Sequence, residues 1–376
     1  MRRLWLLFAQ TVTIALALYF VYTAVQRPGA APPASAAARP ALTADIGAPP
    51  TPGSFRAAAG RAMPAVVNIL TTKAVRKRHP LSRDPFFRKF FGERDEDEDQ
   101  NSLGSGVIVS TQGYILTNYH VVEAADEIQV VLPDGRKAAA KVVGTDPETD
   151  LAVIRIDLDK LPVVALGQME QAKVGDVVLA IGNPFGVGQT VTMGIISALG
   201  RNNLHINHFE NFIQTDAAIN FGNSGGALID TNGNLLGINS AIYSQTGGSV
   251  GIGFAIPVST AKSVLEAIIR DGHVIRGWIG VESQEITPEL AQSFGLKRES
   301  GAIIAGVVRN GPADKAGMRP GDILLSVDGK PVADTNEMLN LIAQLQPGGQ
   351  STMRVLRKSR ETDLQLTVGK RPTAKK

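Results

Sequence analysis

Cysteine is absent from the 376-residue chain. Disulfide scaffolds, thiol nucleophiles and cysteine-based zinc sites are therefore excluded, and the redox compartment stays open. A surplus of either charge is missing too, since Lys+Arg is 38 against an Asp+Glu of 35. Nucleic-acid binding wants a clustered basic surface, so no nucleic-acid partner is expected. What the chain does have is 44% hydrophobic residues and 39 glycines, enough to bury real cores and make many tight turns. Its length allows two or three domains at roughly 100–200 residues each.

One long apolar run is present. Arg2 and Arg3 precede the uncharged stretch Leu4 to Val25. As a helix it would measure about 33 Å, against a hydrocarbon core of about 30 Å. The two arginines favour a cytoplasmic N-terminus and send the rest of the chain across. Residues 1–26 read as a membrane anchor. The alternative is a cleaved signal peptide, with Ala34-Ser35-Ala36 as its cleavage site, but a signal h-region is usually about 7–15 residues. Either way the bulk is exported.

Residues 27–54 are dominated by Ala and Pro and read as a semi-extended tether. A second irregular stretch runs from Lys73 to Ser102, basic at its start and acidic from Glu93 to Asp99. Charge blocks of this kind are solvated loops, although Phe86, Phe87, Phe90 and Phe91 suggest a contact surface. From Ser102 to Ile256 short apolar runs such as GVIVS, DLAVIRID and GDVVLAIG alternate with turn residues. That pattern predicts an all-β barrel or sandwich. Ser259 and Gly272 read as cap and stop of a helix burying Ala261, Val264, Leu265, Ile268 and Ile269. Residues 55–272 form one domain on this reading, residues 273–370 a smaller mixed module, and 371–376 a tail.

Three segments of the β-rich domain carry chemistry. His120 follows a strand in TNYHVV, Asp150 opens another in TDLAVI, and Ser224 sits among glycines in GNSGG. A hydroxyl is a poor nucleophile until an imidazole takes its proton, and the imidazole needs a carboxylate to fix its tautomer. The glycines let the backbone turn so that the N–H groups of Gly222 and Ser224 can meet an oxyanion. Each piece alone has a bland explanation. Together, in the order His, Asp, Ser, they match a β-barrel serine protease. The other histidines carry no such pattern: His205 and His208 have no Asp or Cys ligand nearby, His79 and His273 read as surface residues, and no metal or cofactor is expected.

With LGSGVIVS, GYILTNYHVV, AIGNPFGVGQTVTMGIISALGR and NFIQTDAAINFGNSGGAL, the segment from about 56 to 270 resembles the HtrA (Deg-type) serine proteases. The resemblance implies a mainly β fold, a chymotrypsin-like double barrel of two six-stranded barrels followed by a PDZ domain. It puts Ala218, six residues before Ser224, at the base of the S1 pocket, with Ile219 narrowing it. No carboxylate sits there, so small aliphatic P1 residues are expected. The C-terminal module resembles a PDZ domain of the permuted bacterial kind through Gly277 to Val281 and GPADKAGMRPGDILLSVDGKPV. Trp278, Ile279, Gly280 and Val281 would bind a peptide carboxylate, with Trp278 standing where the family usually has Tyr. A helix from Asn336 to Leu345 would form the other wall, Leu339 and Ile342 either lining the pocket or facing the core.

One PDZ module plus an anchor is most similar to the membrane-anchored DegS-type branch. This implies a single-pass protein of the bacterial inner membrane with both domains in the periplasm. The resemblance further implies a homotrimer built near Phe55, misfolded or membrane-bound protein substrates, and activation by hydrophobic C-terminal peptides. The Leu199–Asn211 stretch would be a sensor loop, Arg201 its relay arginine and Phe185 a second relay position. The long Lys73–Ser102 loop instead resembles that of general periplasmic quality-control proteases or chaperones, the alternative reading. A non-catalytic PDZ scaffold is the third, opposed by the intact trio.

Overall fold

The computed structural model describes residues 13–16, 18, 19, 22, 53–72, 102–123, 125–183, 188–220, 222–242, 248–293 and 300–372. Most of the Leu4–Val25 run, the tether and the Lys73–Ser102 loop lie outside them, as does Phe185. Among the described residues no helix is long and apolar enough to cross a membrane. The chain divides into two units, Met1–Pro49 and Pro50–Lys376, and among the described residues every strand belongs to the second.

Runs of Val, Ile and Leu bounded by turn residues become strands because branched side chains fit a pleated, buried surface. The first sheet comprises β1 (Val66–Thr72), β2 (Ser102–Ile108), β3 (Tyr114–Asn118), β4 (Glu127–Val131), β5 (Lys137–Ala139), β6 (Lys141–Asp146) and β7 (Leu151–Arg155). It is antiparallel, in the order β5-β4-β1-β2-β3-β7-β6. A six-stranded barrel is the expectation here, and among the described residues seven strand segments are present. The seventh arises because β5 and β6 are parted only at Ala140, whose N–H donates to the Ile128 carbonyl at 2.8 Å, so residues 137–146 run from β4 at one end of the order to β7 at the other.

The second barrel is closed. Strands β8 (Val177–Gly182), β9 (Thr190–Arg201), β10 (Phe212–Thr215), β11 (Ala227–Ile229), β12 (Leu235–Ile242) and β13 (Gly253–Pro257) pair in the ring order β10-β13-β12-β11-β8-β9. The unbroken apolar run of β8 has a physical cause in its period of two. Val178 and Ala180 point into the barrel, whereas Leu179 and Ile181 join the larger core built with Ile69, Ile108 and Ile154 of the first sheet. One strand thus serves two cores, and its neighbours fix the barrels against each other.

A helix from Val258 to Asp271 closes the domain. It starts one residue before the expected Ser259 cap: Pro257 is the N-cap, and no side chain caps the turn. Val258, Ala261, Val264 and Ile268 are buried, but Ile269 is 45% exposed, against expectation. Gly272 ends the helix in the left-handed region, as a C-terminal glycine should. Gly144 of β6 permits the helix to approach, since a Cβ there would lie 2.6 Å from the Gly272 carbonyl and 2.7 Å from Ile268.

The C-terminal module pairs β14 (Gly277–Trp278) with β21 (Gly369–Lys370). Its main sheet is β15 (Val281–Gln284), β16 (Ala302–Val307), β17 (Ile323–Val327), β19 (Gln350–Arg357) and β20 (Arg360–Thr367), with β18 (Lys330–Pro331) on β17. The expected helix runs from Thr335 to Ala343, slightly earlier than the apolar period suggested. Asp334 sets its start by accepting the Glu337 N–H at 2.7 Å, and Glu337 returns to the Ala333 N–H at 2.8 Å. The pair resembles a capping box, with Glu337 binding the N–H one residue before the cap.

Ile154 is fully buried in the shared core. Replacing it with Ala should cost about 2–5 kcal/mol, whereas Val142→Ala, at a position 47% exposed, should stay within about 0.5 kcal/mol. Urea unfolding of the two variants measures both. Equal losses would contradict a core centred on this strand.

Candidate active site

His120 lies on the helical turn Tyr119–Val122 directly after β3, and Asp150 immediately precedes β7, which pairs with β3. The neighbouring strands bring the two residues together. Asp150 adopts a φ of 58°, a conformation Asp tolerates better than most residues. Its backbone carbonyl is held by the Tyr119 N–H at 3.1 Å and the Asn118 side-chain amide at 3.0 Å. One carboxylate oxygen accepts the His120 backbone N–H at 3.0 Å, and the other lies 2.7 Å from His120 Nδ1. Donation to a carboxylate keeps the proton on Nδ1 and leaves Nε2 as the basic nitrogen. Burial, followed by a hydrogen bond to Glu123, pushes the neighbouring Tyr119 phenol up, so it stays protonated.

Ser224 is 8% exposed on a turn that packs against two strands. Gly225 has a φ of 80°, and a Cβ there would sit 2.1 Å from the Ser105 carbonyl. The glycines of GNSGG are thus demanded by close packing as well as by the turn. Ser224 Oγ donates to the Ser240 carbonyl at 3.3 Å, and Ser240 Oγ donates to Asp150 at 3.1 Å. Ser240 therefore touches both Ser224 and Asp150. It went unread in the sequence because it sits inside β12 and looks like an ordinary strand residue.

Ala218 is half-buried, and its carbonyl accepts the Thr192 hydroxyl at 2.8 Å. Ile219 is 1% exposed and belongs to the core of the second barrel, in contact range of Gly253. The nearest carboxylate along the chain, Asp216, is engaged by the Ile195 N–H at 2.7 Å.

In the C-terminal module Gly280 has a φ of 77° and lies against the Trp278 ring. Ile279 is buried, and Val281 opens β15. Leu339 lines a cavity of about 190 Å³ together with Ser283, Thr335 and Asn336, and its far wall is His205, His208 and Glu210 of the protease domain. Ile342 is 5% exposed within the module's core and does not line that cavity. Its helical phase turns it inward, towards that core.

The sensor-loop residues are placed differently from expectation. Leu199 to Arg201 belong to β9, whose pairing with β10 extends to Arg201 opposite Phe212. Arg201 donates to the Gln214 side chain at 2.8 Å, on the adjacent strand. The irregular part is confined to residues 202–211. It is held from within by Glu210, a buried carboxylate accepting the N–H groups of Leu204, Ile206 and Asn207 at 2.6–3.0 Å. Arg276, at the start of the C-terminal module, reaches back to the β6–β7 turn and donates to Asp146 at 2.7 Å and Glu148 at 3.2 Å. Arg371 donates to Glu148 at 2.6 Å, and both guanidinium groups lie over the Phe209 ring, at 4.4 and 5.3 Å. The turn so gripped ends in Asp150.

Residues 104–238 match the trypsin-like peptidase domain model, and residues 277–368 match a PDZ domain. A Halomonas elongata protein named as a probable periplasmic serine endoprotease DegP-like is 44% identical over 341 residues, 86% of this chain and 72% of that one. A Chlamydia trachomatis protein of the same name is 47% identical over 296 residues, 77% of this chain and 60% of that one. The chain thus spans about 60% of the length of this relative. Among solved structures, the HtrA-type protease AlgW with a decapeptide is 53% identical with a TM-score of 0.73, covering 85% of this chain and 99% of that one. A serine endoprotease from Yersinia pestis is 41% identical with a TM-score of 0.64, covering 86% of this chain and all of that one. The folded barrels, the His120–Asp150 pair, the Ser224 turn and these likenesses together make the chain a member of the HtrA-type, DegP-like family of serine endoproteases.

Proposed function

We propose that the chain is an exported, inner-membrane-anchored endopeptidase that cleaves unfolded or membrane-bound regulatory proteins after small aliphatic residues. The carrying observation is the His120–Asp150 pair at 2.7 Å, joined through Ser240 to Ser224. In this reading Ser224 Oγ attacks the scissile carbonyl while His120 Nε2 takes its proton. Asp150 holds the imidazole and stabilises the imidazolium, and the N–H groups of Gly222 and Ser224 receive the oxyanion. His120 then returns the proton to the leaving amine, and water resolves the acyl-enzyme.

Hydrophobic C-terminal peptides bind between β15 and the Thr335–Ala343 helix, with Trp278 to Val281 receiving the carboxylate and Leu339 the side chains. The position of the 202–211 loop opposite that groove supports activation through the loop, and the Arg276 grip on the β6–β7 turn supports a direct path to Asp150. Arg201 and Phe185 are assigned to the same relay, in a homotrimer joined near Phe55. The names of the DegP-like relatives favour a second reading, a general quality-control protease with a cleaved leader. N-terminal sequencing of the membrane fraction separates the two.

Purified wild type should digest casein, while Ser224→Ala and His120→Ala should each lose nearly all turnover, the double variant being little worse than either. Substantial digestion by Ser224→Ala would overturn the assignment. Mapped cleavage sites should follow Val or Ala, because a Lys or Arg side chain would meet no carboxylate at Ala218. A majority of cuts after basic residues would refute that pocket.

The Arg276–Asp146 pair is 10% and 4% exposed at its two side chains, so breaking it leaves a buried charge. In Arg276→Ala the ratio of peptide-stimulated to basal activity should fall towards one, from the roughly 5–150-fold that allosteric coupling usually supplies. An unchanged ratio would remove this contact from the relay.

A further inference from the structure

We propose that Ser105 is a positioning residue that sets the oxyanion turn from across the seam between the barrels. The inference rests on the peptidase reading above. Ser105 lies in β2 of the first sheet, is fully buried, and stands opposite Asn68 of β1 in the ladder. Its side chain points out of that sheet into the second barrel. Ser105 Oγ is 2.5 Å from the Gly222 carbonyl and receives the Asn183 N–H at 2.8 Å. Its own N–H donates to the Ser224 carbonyl at 2.8 Å.

The proton on this hydroxyl has only one place to go. A hydroxyl carries one proton and can also accept. The Asn183 N–H can only donate and the Gly222 carbonyl can only accept, so Ser105 must donate to Gly222. Ser105 therefore fixes the carbonyls on either side of the Asn223–Ser224 peptide, the unit that carries the Ser224 N–H. With both flanking peptide planes pinned, that donor has little freedom left. Asn68 completes the arrangement by donating to the Asn183 carbonyl at 2.6 Å. The strand end at Asn183 is thus held by the same cross-strand pair that holds the turn. Further along the chain, Gln189 donates to the carbonyls of Met63 and Val66 at 2.5 and 2.8 Å. Asn183 and Gln189 are therefore both tied to β1 and the turn before it, and one hydroxyl joins Asn183 to the oxyanion site.

Ser105 touches no substrate, so its contribution should appear in the transition state and not in substrate binding. In the full-length chain, Ser105→Ala should lower kcat by about 10–100-fold, below the loss seen for deleting an oxyanion donor outright. KM should stay within about threefold of wild type. A peptide boronic acid, which forms a tetrahedral adduct on the nucleophile, should lose affinity by the same factor as kcat/KM. Ser105→Cys, with a weak donor of similar size, should fall between, and supplies the readout if the Ala variant does not fold. Ile128→Val, a core truncation on the far strand β4, should keep the wild-type kcat. Near-wild-type kcat in Ser105→Ala, a boronate affinity that does not move with kcat, or an equal loss in Ile128→Val would each overturn the proposal. A wild-type protein inert towards casein and the boronate would instead sink the peptidase reading.

Discussion

The proposed catalytic groups come from two separate sheets, so the chemistry assigned to them depends on polar bonds that hold the barrels in register at their seam. His120 and Asp150 belong to the first sheet, and the Ser224 turn belongs to the second barrel. Hydrophobic packing through Leu179 and Ile181 brings the halves together, but it is non-directional. Direction comes from the buried hydroxyls. Ser240 reaches from β12 to Asp150, and Ser105 reaches from β2 to the Gly222–Ser224 turn, so the seam is bonded in both directions. Groups so deeply buried cost stability if left unpaired, which makes the alignment nearly all-or-none.

The C-terminal module is attached to the same machinery. Arg276 and Arg371 enclose Phe209 and reach the acidic turn at Asp146 and Glu148, four and two residues before Asp150. The cation–ring contacts and the buried ion pair use delocalised guanidinium groups, suited to holding a planar ring and a carboxylate at once. Glu210 stiffens the intervening loop by taking three backbone N–H groups. The module therefore meets the protease through a loop that is itself pinned, next to the residue that orients the histidine.

Much of this was legible in the sequence and some was not, for physical reasons. The GNSGG turn, the histidine after one strand and the aspartate before another are local patterns, and the structure sets His120 and Asp150 in contact. The apolar runs became strands where expected. Ser105, Asn183 and Ser240 were missed because their partners lie far along the chain and nothing local marks a serine in a strand as a brace. The early start of the Val258–Asp271 helix reflects Pro257, which ends β13 and begins the helix in one residue. The resemblance puts Leu199 to Arg201 in the sensor loop, yet pairing of Arg201 with Phe212 carries the strand past Gly200. Ile342 shows the limit of periodicity, which places a side chain on a helix face without saying whether that face meets a ligand or a core.

The central claim is that the assembled seam turns Ser224 into an activated nucleophile, and covalent labelling tests it most directly. The folded protein would be treated with an excess of a small fluorophosphonate, then analysed by intact mass and peptide mapping, alongside protein denatured before treatment. The account predicts a single adduct on the peptide containing Ser224, and none on the denatured sample. Labelling of other serines at a comparable rate, or no adduct on the folded protein, would contradict it.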